Sequence, residues 1–236
     1  MHDGAIKFIK YAYPPNKLRY CGPSNSRSIF DYFQAGKIDR GLIDLLAKFN
    51  GAYPNLCYIA RANKIEDPFD KRVVEAYWIG NCLLDQVSIG NYYQYLRDQY
   101  RGQWDNHALD LIFGTSAAYG AKPHHSFHVL SLLAKKKKSS RILEHIGNCL
   151  IVPGRINSIS LDGFTVVYKP IVFKNNKLAF GKLTNKKLNC FSVEKFEIGD
   201  QVSFHWNWIC DKITDTQIKN LIMWNKFHLS LVNKII

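Results

Sequence analysis

The chain has no apolar run near the length that spans a bilayer, and its mean hydropathy is -0.20, so a membrane helix is excluded from the reading. The first residues, 1-MHDGAIKFIKYAYPPNKL-18, contain no apolar core followed by a small-residue cleavage site, which makes the cytoplasm the expected compartment. There is no Cys-x-x-Cys pair. The cysteines stand at 21, 57, 82, 149, 190 and 210 without the spacing of a zinc knuckle or a disulfide framework, and they read as reduced thiols. Also missing are a glycine-rich phosphate loop, a G-x-S-x-G elbow, a dinucleotide fingerprint and any internal repeat, which removes the commonest nucleotide-binding and hydrolase motifs.

What is present is a core-forming chain of 236 residues, 47% hydrophobic, with a net charge of +13. A basic face can bind nucleic acid by releasing counterions. Here the excess is about +7 before residue 139, with Lys135 to Lys138 supplying four charges, and about +6 after it. Charge spread so thinly does not make nucleic acid an expected partner, and no membrane partner is expected.

The hydrophobic period changes partway along. Up to about residue 134 apolar residues recur at three and four, as in 39-DRGLIDLLAKF-49 and 69-FDKRVVEAYWIGNCLLDQVSIGNYYQYLRDQYR-101, the pattern of helices. From 149 to 209 the segments are short, β-branched or aromatic, and broken by Asp162-Gly163, Asn175-Asn176 and Gly199-Asp200. This predicts an α+β chain: an all-α unit over 1-138, a small barrel over 142-236 opening with Cys149 as the head of a strand, and a linker at 134-AKKKKSSR-141. Thr214 or Asp215 should cap a last helix, whose stripe of Ile218, Leu221, Ile222, Trp224, Leu229 and Val232 packs on the barrel or on the first unit.

Three places carry candidate chemistry. In 123-PHHSFHVL-130, His124 and His128 fall at i and i+4, a spacing that lets two imidazoles share a metal, with Glu75, Asp85, Asp105 or His107 as further ligands. The alternative is that Pro123 starts a helix, His125 is solvated and the other two cap or pack. Glu75, amid Val74, Tyr77 and Trp78, needs a cation or donor; it either faces the histidines or pairs with Arg72. Cys21 lies in a Tyr-Cys-Gly-Pro turn ahead of a helix over 28-34, where a helix start would lower its pKa, although Gly-Pro explains the turn by itself.

The motif Cys149-Leu150-x-x-Pro153-Gly154-Arg155-Ile156, followed by 199-GDQVSFHWNWICDKI-213, resembles the opening and closing motifs of the HypC hydrogenase-maturation chaperones. Those are small OB-like barrels that help carry an iron-dicyanide-carbonyl unit to the large subunit of nickel-iron hydrogenase. The resemblance implies that Cys149 and His205, the latter beside Phe204 and Trp206, bind an iron unit, since thiolate and imidazole suit low-spin iron. In that family the cysteine becomes the mature N-terminus, whereas Cys149 is internal. The alternative for Cys149 is a buried strand cysteine, and for His205 a ring packed among aromatics. The stretches 11-YAYPPNKLRYCGPSNS-26, 72-RVVEAYWIGNCLLD-85 and 123-PHHSFHVL-130 resemble an uncharacterised bacterial two-domain family in which a helical domain precedes a HypC-like tail.

The leading expectation is therefore an accessory protein for metallocentre assembly, with iron as its cargo and a client metalloprotein or maturation factor as its partner. The alternatives are a helical non-haem metal enzyme built on the histidine cluster, with the barrel as docking module, and an interaction module with vestigial ligands.

Overall fold

The computed structural model describes residues 2-100, 119-131, 140-175, 177-192 and 194-234. Their helices are α1 (Ala5–Lys17), α2 (Ser26–Ala35), α3 (Arg40–Leu46), α4 (Tyr53–Ala62), α5 (Lys71–Trp78), α6 (Ile89–Tyr100), α7 (His125–Ser131), α8 (Ser140–Cys149) and α9 (Asp215–Val232). The strands are β1 (Val152–Ser160), β2 (Gly163–Tyr168), β3 (Ile171–Lys174), β4 (Lys177–Phe180), β5 (Thr184–Leu188), β6 (Gln201–His205) and β7 (Trp208–Lys212). The fold is α+β.

Local chemistry sets the helix boundaries. Asp39 caps α3 by accepting from the Leu42 N–H, and Thr214 caps α9 in a full capping box with Gln217. The stretch of helical pattern from 69 to 101 is broken after Trp78, where Gly80 turns at φ +95° and a short 3₁₀ turn (Cys82–Leu84) follows. A Cβ on Gly80 would stand 2.2 Å from the Trp224 ring, so the break also lets α9 approach.

The sheet runs in the order β5-β2-β1-β6-β7, all neighbours antiparallel, with β3-β4 as a separate hairpin. Among the described residues it is not a closed OB-like barrel. One parallel bridge, Asn189 to Trp208, joins the two edges at one end, through hydrogen bonds of 2.8 and 2.9 Å. Pro153 and Gly154, a pair common in turns, lie inside β1. Pro153 faces Ser203 at the start of the strand, before pairing with β2 begins at Gly154, so no ladder bond to β2 is lost. Gly154 is needed for close packing, since a Cβ there would meet Val166 Cγ1 at 2.3 Å.

Two further expectations are corrected. Cys149 ends helix α8 and does not head a strand; β1 starts at Val152. Of the expected linker, 134-139 lies outside the described residues, while Ser140 and Arg141 begin α8. Ile142, Leu143, Ile146 and Cys149 pack that helix on the hydrophobic cluster of the sheet.

Helices and sheet share a core. Ile151, Cys210, Ile213, Leu221 and Trp224 join the cluster built by α1, α4 and α5, while Leu229 and Val232 join the cluster inside the sheet. Helix α9 thus packs on both layers, covering each of the two sides offered to it by the sequence. The centre is aromatic: Phe8 meets Phe49, Phe69 and Trp78 at 5.4 to 5.5 Å, and Tyr11 stacks on Trp78 at 5.6 Å. No helix among the described residues is long and apolar enough to cross a membrane.

Candidate functional site

Where α1, α5, α7 and α8 meet β6, the core turns polar. Helix α1 runs through Pro14 and Pro15, and Pro15 has no N–H to give the Tyr11 carbonyl its intrahelical bond. His205, at the end of β6, supplies the missing donor: its Nδ1–H donates to the Tyr11 carbonyl at 2.7 Å. The carbonyl of Cys149, orphaned at the C-terminus of α8, accepts from His125 Nε2–H at 3.0 Å. The Asn148 carbonyl accepts from the Trp206 N–H at 2.9 Å. The sheet and α7 therefore cap helix carbonyls that proline and helix termination leave without partners.

This assignment fixes tautomers. A ring nitrogen beside a carbonyl must carry the proton, so neutral His205 is protonated at Nδ1 and keeps a lone pair at Nε2. That Nε2 is buried and has no hydrogen-bond partner. Burial pushes the His205 pKa down to about 4, against the Tyr11 and Cys149 carbonyls, which favour the proton, and with the positive charge of Lys186, which opposes it. His125 has its ring 5.2 Å from that of His205 and is likewise held well below the usual range, mainly by burial. Its Nδ1 lies 3.4 Å from the Tyr77 hydroxyl, whose one proton is directed to the Gly51 carbonyl at 3.2 Å.

Cys149 gives its carbonyl to His125, and its side chain is partly buried against the sheet cluster. Trp206 sits in the left-handed region at φ +57°, with its ring 4.4 Å from Tyr20 in a parallel stack and 5.0 Å from His145, one turn before Cys149 on α8. Lys186 donates to Asn148 Oδ1 at 2.8 Å, and burial lowers its pKa to about 8.

The second candidate site is dispersed. His124 accepts at Nδ1 from the Ser126 N–H at 3.1 Å and the Ser126 hydroxyl at 2.7 Å. The same hydroxyl accepts from His228 Nδ1–H at 2.8 Å, and His228 Nε2 accepts from the Lys122 N–H at 3.3 Å. His124 is thereby turned toward α9, whereas His125, its neighbour in sequence, points toward β6. His128 presses on Gly51, where a Cβ would stand 2.8 Å from its Nε2, and burial lowers its pKa to about 4. Glu75 pairs with Lys7 at 3.1 Å and accepts from Gln217 at 2.7 Å; Arg72, its expected partner, is taken by Asp70. Asp85 lines a cleft with Glu75 and Cys82, while Asp105 and His107 lie outside the described residues. Among the described residues no three metal-ligating side chains converge.

Cys21 is not in a first helical turn, since α2 begins at Ser26. Its residue is exposed, but crowding around the thiol pushes the pKa up to about 12, the reverse of an activated nucleophile.

Sequence reasoning missed Tyr11, Lys186, Ser126 and His228. Pro14-Pro15 was the readable signal for Tyr11, because prolines in a helix announce a carbonyl in need of a donor. No curated protein and no solved structure matches the chain. A family model, described as a family of unknown function, DUF6390, matches residues 1–236, and the chain belongs to that family.

Proposed function

We propose that the chain is a non-catalytic accessory protein of metallocentre assembly, which holds an iron-ligand unit as cargo at Cys149 and His205 and docks on a client metalloprotein or maturation factor. One observation carries the reading. His205 has its Nδ1–H locked on a backbone carbonyl and its Nε2 lone pair without a partner, the arrangement a metal-binding imidazole adopts. The carbonyl of Cys149 accepts from His125, whose ring lies 5.2 Å from that of His205. Lys186 adds a positive charge suited to an anionic iron unit. The Cys-Leu-x-x-Pro-Gly and Gly-Asp-x-Val-x-x-His motifs add the HypC resemblance, with the sheet and its hairpin as an opened form of the OB-like barrel and the cytoplasm as the compartment. An internal cysteine would then bind through its thiolate alone, and a partly buried pair needs a side-chain movement to open, which suits holding and release.

The test is iron analysis with infrared spectroscopy on anaerobically purified protein from a hydrogenase-producing host. The expected result is iron with cyanide and carbonyl stretches in the wild type and their loss in Cys149→Ala and His205→Gln. Both variants retaining wild-type iron at equal folding would end the proposal.

A further inference from the structure

A cleft of about 520 Å³, lined by neither Cys149 nor His205, lies between the sheet and α9. Its walls are apolar: Val152, Val167, Phe180, Leu183, Ile218 and Ile222. Three of these, Val167, Leu183 and Ile222, lack a place in the cores. Leu183 is 65% exposed, and Ile222, on the stripe of α9, belongs to neither hydrophobic cluster. The charged residues lining the cleft are Arg155, Lys169 and Lys226, and no carboxylate lines it. None of the three makes an ion pair among the described residues, and Asp200, near Arg155 through Gly199, is already engaged by Lys212 at 2.6 Å.

Asn225 supplies a second, independent observation. It lines the cleft and is 1% exposed; its amide donates to the Ile151 carbonyl at 2.8 Å, and its Oδ1 has no donor. Flipping the amide would set Oδ1 against the Ile151 carbonyl, so the orphan is a property of the site. A buried acceptor without a donor is uncommon in a finished core, and a ligand hydroxyl could supply it: the monoanion of a phosphate monoester carries one, whereas a carboxylate carries none.

We propose that this cleft binds an amphipathic organic anion, a carboxylate or phosphate on an apolar body, with Arg155, Lys169 and Lys226 around the head group and Ile218, Ile222 and Leu183 against the body. The volume falls in the range of small-molecule sites. The proposal shares no residue with the Cys149–His205 pair, so either can fail alone.

Isothermal titration calorimetry on the full chain tests it with decanoate, decyl phosphate, decanol and decyltrimethylammonium. Decanoate or decyl phosphate should bind, the stronger identifying the head group, with decanol at least about tenfold weaker and the cation weaker still. Arg155→Gln and Lys226→Gln, both exposed substitutions, should each weaken the preferred anion by about tenfold while leaving the thermal melt unchanged. Ile222→Trp should block the cleft. Binding of neither anion, equal binding of decanol, or wild-type affinity in both charge variants would overturn the proposal, as would an acidic peptide occupying the cleft that decanoate cannot displace.

Discussion

His124 and His125 are adjacent in sequence and end in opposite kinds of site. His124 belongs to a chain of donors and acceptors, Lys122 N–H to His228 to Ser126 to His124, in which both nitrogens of His228 are used. His125 and His205 instead cap orphaned helix carbonyls, and His205 is left with a buried lone pair. The first arrangement uses both nitrogens of His228 and Nδ1 of His124 to join α7 to α9, and its buried orphan is the His124 Nε2–H, a donor and not a ligand atom. The second spends one nitrogen of each ring on carbonyls and keeps a ligand atom in reserve. A histidine cluster read from spacing alone does not distinguish them, since consecutive residues at the start of a helix point in different directions.

Acid gives the largest break, because it acts on both arrangements at once. His124, His125, His205 and His228 are all held neutral by burial, with His124 down to about 3 and His205 to about 4. A base whose folded pKa is depressed contributes no pH-dependent loss above the unfolded value near 6.5. Below it the unfolded chain takes up protons that the folded chain refuses, so stability falls as pH drops, until the folded pKa is reached. At pH 5.5 this amounts to about 1.4 kcal/mol per imidazole, and His128, lowered to about 4 by burial, adds a fifth such contribution. Urea unfolding at pH 7.5 and 5.5 should show the loss, and a pH-independent midpoint would refute neutral burial. Ring titration by NMR sharpens the comparison: His205, with two carbonyls favouring its proton, should protonate before His124.

The two arrangements separate under substitution. His228→Phe removes a donor to Ser126 and an acceptor for Lys122, leaving partners unpaired on both sides, and should cost about 2 to 4 kcal/mol. His205→Phe orphans only the Tyr11 carbonyl and removes the lone pair that had no partner, so about 1 to 2 kcal/mol is expected. Denaturant midpoints at constant slope give both numbers. A larger loss for His205→Phe would mean that its Nε2 contributes to folding, contrary to a ligand atom held in reserve.

The change of hydrophobic period, the turn at Asp162-Gly163 and the cap at Thr214 were legible because each rests on residues within a few positions of one another. Helix α8 was legible in principle: Ile142, Ile146 and Cys149 recur at helical spacing, but the cysteine motif drew the reading toward a strand. The shared core was not legible, since Tyr11 meets Ser203 across 192 positions and no local pattern encodes that contact. Nor was the partner of Glu75, because Arg72 satisfied the local rule while Lys7 lay on another helix. Motif order pointed to Cys149 and His205, yet the carbonyl at the end of α8 meets His125, a neighbour that neither motif contains.

Helix α9 allows the smallest test of the comparison, since it carries His228 but no member of the pair at His205. Its first turn is held by the Thr214 hydroxyl, which accepts from the Gln217 N–H at 3.3 Å, while Gln217 Oε1 accepts from the Thr214 N–H at 2.9 Å. Thr214→Ala removes half of this box and should cost about 1 kcal/mol, whereas Thr214→Gly should cost only a few tenths. Gln217 also donates to Glu75, so the frayed turn loosens the contact of α9 with α5 before it reaches His228, three turns further on. The expected signature is faster amide exchange over residues 217-220, a small fall in the urea midpoint, and unchanged ring resonances for His125 and His205. Altered resonances for that pair, with those of His228 unmoved, would show that the His205 arrangement depends on α9 after all.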